Sequence, residues 1–265
     1  MAWQWFDSTL VEIKDLTHNT KLFTLKVDSE DRFEFEAGQF ITLDLPIGEK
    51  KRDGWRSYSI ANTSNDQNLI ELCIVRLEGG AGTHYLFDIA EEGTNIRFKG
   101  PSGHFVLPED KSKNIVCICT GTGIAPFRGM WQALLSDHLR DASVIEKSES
   151  GSISKSSFAK ASEDKGFMHI IFGTRKYGDV LFEEEMNAVA QNNPDFKVDI
   201  CLSREEKDGY HKGYVHQVYM DRYKGKTDDT LFYLCGWSEM IDEAVKNLML
   251  ELKVDRKQII YELFG

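Results

Sequence analysis

Two periodicities divide the chain. Up to about Leu107, apolar and polar residues alternate in short runs, Leu22–Val27, Phe40–Leu45, Leu69–Val75 and Asn95–Lys99, separated by turns rich in Gly, Asn and Asp. Alternation with a period of two turns one face of each run inward, and repeated short runs of this kind predict an antiparallel β-barrel. From Asn114 the pattern changes to continuous apolar runs at 115–119, 168–172, 197–202 and 231–234, interleaved with stretches of helical period. Strands buried on both faces and alternating with helices predict a parallel α/β sheet. The expected organisation is a barrel over residues 1–110 and an α/β domain over 111–265, joined at the polar connector Pro108–Lys113. Residues 142–166 carry eight serines and no apolar period, which predicts a flexible polar insertion.

Chemistry concentrates where these patterns break. Arg56-Ser57-Tyr58-Ser59 stands between a turn-rich stretch and the strand-like Ile60-Ala61-Asn62. On an extended segment Arg56 and Tyr58 share one side, and Ser57 and Ser59 the other. Such a strand can offer a forked cation to a phosphate, a flat face to a ring and a hydroxyl to a ring heteroatom. The same four residues also fit an ordinary strand with one surface Arg and one packing Tyr. Gly79-Gly80-Ala81-Gly82-Thr83 is a glycine-rich loop with Thr83 expected as the N-cap of a helix. Free N–H groups at a helix start form an anion site, and glycines let a pyrophosphate come close. The strand ending at Cys119 runs into Thr120-Gly121-Thr122-Gly123-Ile124-Ala125-Pro126, a strand, tight turn and helix of the nucleotide-binding kind that lacks the third glycine of the usual fingerprint. A further buried strand, 231–234, ends in Cys235-Gly236-Trp237-Ser238-Glu239-Met240.

Composition narrows the classes. With 265 residues and 41% apolar content the chain can bury two cores, and a formal charge of −11 argues against a nucleic-acid binder. Lys50-Lys51-Arg52 is a local basic exception that suits an acidic protein partner. The five cysteines have no metal-cluster spacing, so reduced thiols and no metal site are expected. No run approaches the length of a membrane span, and the first ten residues do not resemble a signal peptide, so the expectation is a cytoplasmic protein without stable membrane insertion.

Taken in order, R-S-Y-S at 56–59, the glycine loop at 79–83, Gly100-Pro101-Ser102-Gly103-His104-Phe105, G-T-G-I-A-P at 121–126, C-G-x-x-x-M at 235–240 and the ending Glu262-Leu263-Phe264 resemble the ferredoxin-NADP reductase superfamily over nearly the whole length. The resemblance implies a flavin-binding Greek-key barrel followed by a Rossmann-like domain for a nicotinamide dinucleotide. It implies FAD contacts at Arg56, Ser57, Tyr58, Ser59, Gly80, Gly82 and Thr83, with Phe264 stacked on the flavin. Thr122, Gly123, Pro126, Cys235 and Gly236 would hold the nicotinamide nucleotide. Ser59, Cys235 and Glu262 would lie around the reacting atoms. Basic residues after the second and third strands, Arg175 and then Ser203-Arg204 with Lys212 and Tyr214, resemble an NADP clamp, with NAD left possible. The activity implied is hydride transfer between NADPH and FAD, with electrons passed to a carrier such as ferredoxin or flavodoxin. Two other readings stay open: the reductase component of a multicomponent oxygenase, and a flavin-carrying electron-transfer subunit of a larger complex.

Overall fold

The computed structural model describes residues 4–50, 52–135 and 166–263. They fall into two compact units. One runs to Leu107 and also takes in Gly121–Met130 and Gly178–Leu181, while the other comprises Pro108–Thr120, the described part of Trp131–Tyr177, and the chain from Phe182. Among the described residues no helix is long and apolar enough to cross a membrane.

The first unit is built on six antiparallel strands: β1 (Trp5–Thr17), β2 (Thr20–Val27), β3 (Phe40–Asp44), β4 (Trp55–Ser59), β5 (Leu69–Val75) and β6 (Asn95–Ser102). They lie in the order β4-β3-β6-β1-β2-β5, and an antiparallel bridge from Ile60 to Leu72 joins the two ends of the sheet. Alternation does what it predicts, because Leu10, Phe23, Leu25, Ile41, Leu43, Ile70, Ile96 and Phe98 meet in one buried cluster. Each such side chain contributes about 1.5 to 3 kcal/mol on leaving water. After β5 comes a four-residue helix, α1 (Ala81–His84), which continues as a wider turn at Tyr85–Ile89.

The second unit carries the parallel strands β7 (Asn114–Thr120), β8 (Met168–Thr174), β9 (Phe196–Leu202), the short β10 (His211–Lys212), β11 (Thr230–Gly236) and β12 (Ile259–Leu263). Residues 125–135 form helix α2, whose first half clusters with the barrel unit and whose second half clusters here. The other helices are α3 (Glu183–Asn192), α4 (Val215–Arg222) and α5 (Ser238–Leu250). Ile241, Ala244 and Leu248 recur at helical spacing along α5 and pack with Val116, Ile118, Phe232 and Leu234. The order β10-β9-β8-β7-β11-β12 reverses direction between β7 and β11. In open parallel sheets a ligand binds at such a reversal, beyond the carboxyl ends of the strands.

A polar network centred on β9 braces this sheet, its inner members shielded and its outer ones half-exposed. Asp199, in the middle of β9, takes hydrogen bonds from Arg222 Nη2 at 2.7 Å, and it pairs with His169 Nε2 at 2.9 Å and His211 Nε2 at 2.7 Å. His169 Nδ1 also meets the Tyr223 hydroxyl at 2.6 Å. Burial alone would raise the Asp199 carboxyl, but the bonds from His169, Arg222 and His211 outweigh it and hold the group well below the usual carboxylate range. One carboxylate thereby ties β10 and the end of α4 to β8 and β9.

Candidate active site

On β4 the register places Arg56 opposite Leu43 and Tyr58 opposite Ile41, so both lie on the side that faces the barrel cluster. The Tyr58 ring packs against that cluster, and burial pushes its hydroxyl up to about 12, which keeps the phenol neutral. Arg56 is half-buried and pinned by one nitrogen, with Nη1 donating to the carbonyls of Asp53 at 2.9 Å and Trp55 at 2.8 Å. Its Nε and Nη2 donate to no protein group among the described residues. The side chain lies along Gly82, where an added Cβ would come within 3.0 Å of Arg56 Cγ and 3.1 Å of Nε. Two unspent donors beside a bare backbone at a helix start suit a pyrophosphate, so these residues fit the FAD that the sequence implies. Ser59 is buried at the end of the strand, opposite Phe40. Ser57 lies, as the alternation requires, on the side of β4 away from Arg56 and Tyr58, exposed, with its hydroxyl 2.9 Å from Thr42 Oγ1.

The glycine loop departs from the sequence reading. Gly80 caps α1, and Thr83 sits inside its single turn. The Thr83 hydroxyl folds back on the loop, accepting from Leu77 N at 3.1 Å and lying 3.0 Å from the Leu77 carbonyl and 3.1 Å from that of Gly80. Thr83 is a brace that holds the loop closed, which leaves the early N–H groups of the helix free of a side-chain cap. The second glycine turn, Gly121–Ile124, is a 3-10 turn that leads directly into α2, with Thr122 half-buried, Gly123 buried and Pro126 in the first turn of the helix. All of 121–126 clusters with the barrel.

At the strand reversal the parallel register aligns Cys119 of β7, Cys235 of β11 and Glu262 of β12 in one row. Cys235 is fully buried, and burial, together with the nearby Glu262 and Cys119, raises its thiol well above the ordinary value. Such a cysteine is a neutral, buried thiol and no thiolate. Gly236 adopts φ +146°, and a Cβ there would fall 2.3 Å from Thr120 Oγ1. The backbone therefore crosses the reversal at a distance only glycine permits, and Trp237 N reaches Thr120 Oγ1 at 3.4 Å. Thr120 and the 63%-exposed Trp237 also border this reversal, without having been assigned a role from the sequence.

The ends of β8 and β9 run on side by side, with Ser203 N donating to Thr174 O at 3.0 Å and Arg204 N to Arg175 O at 2.9 Å. This brings Arg175 and Arg204 together as an exposed pair, and neither guanidinium has a protein partner among the described residues. Two adjacent uncommitted cations form a natural phosphate clamp. Lys212 is committed elsewhere, with its ammonium 2.5 Å from Glu206. Tyr214 stands 62% exposed before α4, stacked on His216 with ring centroids 5.7 Å apart. Of the basic patch, Arg52 lies over the Trp55 ring at 5.6 Å. Lys51, Phe264 and residues 142–165 fall outside the described residues.

Comparison with known proteins finds a domain family for each half of the chain. The oxidoreductase FAD-binding domain matches residues 7–107, and the oxidoreductase NAD-binding domain matches residues 117–246. Ferredoxin-NADP reductase B of Sorangium cellulosum is 27% identical over 267 residues, covering 98% of this chain and 97% of its own. The phenol hydroxylase P5 protein of Acinetobacter pittii is also 27% identical, over 247 residues and 92% of this chain, which spans only 61% of that protein's length. The crystal structure of a ferredoxin NADP+ reductase from Neisseria gonorrhoeae with bound FAD and NADP has the same fold, with a TM-score of 0.73 at 19% identity and 98% of each chain covered. The two domain matches, the reversed sheet and the barrel together show that the chain belongs to the ferredoxin-NADP reductase-like superfamily of FAD- and NAD(P)-dependent oxidoreductases.

Proposed function

We propose that this chain takes reducing equivalents from NADPH onto FAD and passes them singly to a separate electron-carrier protein, ferredoxin or flavodoxin. The observation that carries the choice of donor is the exposed, unpartnered pair Arg175 and Arg204, whose backbones are joined at 2.9 Å. A 2′-phosphate is the group such a pair would hold. FAD, when bound, accepts a hydride from nicotinamide and releases electrons one at a time. The protein supplies binding and alignment: Arg56 and the 80–83 loop hold the flavin pyrophosphate, Tyr58 backs the ring and Ser59 offers a hydroxyl to its reactive edge. Thr122, Gly123 and Pro126 receive the nicotinamide dinucleotide. Cys235 stays protonated and presses on the ring, and Glu262 sets the charge beside it. Residues 1–110 would serve FAD and 111–265 NADP, with Lys50 and Arg52 offered to an acidic carrier.

The similarity to the phenol hydroxylase P5 protein favours a second reading, in which the acceptor is a dedicated oxygenase component. Stopped-flow mixing of the FAD-loaded protein with NADPH or NADH, followed by ferredoxin, flavodoxin or an oxygenase component, separates the two. Fast flavin bleaching by NADPH and reoxidation by a small carrier is expected. Preference for NADH would remove the 2′-phosphate clamp, and reoxidation by the oxygenase component alone would favour the second reading.

A further inference from the structure

We propose that Arg128 is a positioning residue for hydride transfer, because its guanidinium fixes the 121–126 turn against the strand end that carries Ser59. The inference rests on the reading above, in which those two segments hold the reacting cofactors. Arg128 lies on α2, two residues after Pro126, with its side chain only 12% exposed. One nitrogen, Nη1, donates both to the Glu71 carboxylate and, at 2.9 Å, to the carbonyl of Ala61, two residues beyond Ser59.

Glu71 is bound into the same segment by its backbone. It accepts from Ala61 N at 2.7 Å, and its own N–H donates to Asn62 Oδ1 at 2.9 Å. Ala61, Asn62, Glu71 and Arg128 therefore form one closed hydrogen-bonded knot. The residues on either side press the helix into it: Phe127 meets Phe105 edge-on at 5.6 Å, and a Cβ on Gly129 would lie 2.8 Å from the Asn62 carbonyl.

A buried ion pair gives no more stability than well-packed apolar residues of the same volume. Packing alone would not need Arg128 and Glu71. One guanidinium nitrogen held at once to a carbonyl and a carboxylate on different segments adds direction, setting distance and angle together, whereas an apolar contact tolerates sliding. Direction is what hydride transfer demands, since misplacement by about 1 Å costs roughly 100-fold in rate.

Arg128→Lys keeps the charge and loses the rigid planar guanidinium, and Glu71→Gln keeps a hydrogen-bond acceptor and loses the charge. Both are to be compared with wild type as FAD-loaded protein. For Arg128→Lys, FAD content, melting temperature and NADP+ affinity should stay near wild type, while single-turnover flavin bleaching slows about 10- to 100-fold. The deuterium isotope effect on that step should rise as chemistry becomes limiting, and Glu71→Gln should shift the same way by less. Backbone hydrogen exchange should quicken at residues 121–125 and at 61–62, with β7 unchanged. A wild-type rate in Arg128→Lys, or a rate lost only in step with FAD and melting temperature, would overturn the inference. If NADPH fails to reduce the wild type, the functional reading falls. Hydrogen exchange then decides alone: unchanged exchange at 121–125 overturns the positioning role, and quickened exchange supports it.

Discussion

The two proposed half-sites present their binding groups by opposite means. In the barrel, Arg56 is half-buried and pinned to the carbonyls of Asp53 and Trp55, Tyr58 leans on the core, and Thr83 braces its own loop. At the edge of the parallel sheet, Arg175 and Arg204 stand in water with no protein partner among the described residues, and Tyr214 is 62% exposed. Groups already fixed by the fold lose little freedom when a ligand arrives, whereas free side chains must be ordered at binding, at about 0.5 to 1.5 kcal/mol each. The contrast matches the two roles. A resident cofactor calls for a prepared cradle, and a substrate that must leave each cycle calls for a clamp that lets go.

The strands that carry the proposed clamp are tied together by Asp199. Asp199→Asn should show the largest effect, lowering stability by about 1 to 3 kcal/mol as Arg222 and the two histidines lose their shared carboxylate partner. The native carboxyl binds its proton more weakly than the unfolded one, whose pKa is about 3.9. Its contribution is thus complete above about pH 4 and is lost as pH falls toward the depressed native value. Denaturant melts across this acid range should lose stability on acidification in wild type and show a flatter acid limb in the variant. An equally steep limb in the variant would place the acid sensitivity elsewhere.

Replacing Arg175 and Arg204 together by Gln should raise KM for NADPH about 100-fold, the loss of two charge-assisted contacts at the low end of their range, and leave NADH nearly unchanged. Steady-state kinetics with both donors checks this, and equal losses for both would mean the arginines do not read the 2′-phosphate. Arg56→Ala should weaken FAD by about 2 kcal/mol, measured by flavin titration of the apoprotein, with no selective effect on NADPH. Thr83→Val should cost about 1 kcal/mol in the same titration, because it removes a brace and no ligand contact. A loss as large as that of Arg56→Ala would make the hydroxyl a direct ligand.

Sequence reading succeeded where structure is local. Leu69–Val75 is a strand with those bounds because it is a short apolar run of strand-forming residues set off by polar turns. The 13-residue β1 escaped notice because register shifts at Leu10/Glu12 and Asp15/Thr17 break its period, so no long alternating run survives. The strand β12 shows in the sequence only as a tail motif, since its edge position leaves Tyr261 and Leu263 exposed and blurs the apolar signal. Thr83 looked like an N-cap because Ser and Thr often are, yet Leu77 offered its hydroxyl both a donor and an acceptor. Neither the Asp199 network nor the Arg128 knot was legible, because each joins residues far apart in the chain that only the fold brings together.

Retention on dilution tests the contrast between the two half-sites most directly. The protein would be loaded with FAD and NADP+ and washed repeatedly by ultrafiltration, and both ligands measured in retentate and filtrate. FAD should stay at one per chain through washes that strip NADP+ completely. FAD that washes out as readily as NADP+ would contradict the prepared cradle built on Arg56, Tyr58 and the loop braced by Thr83.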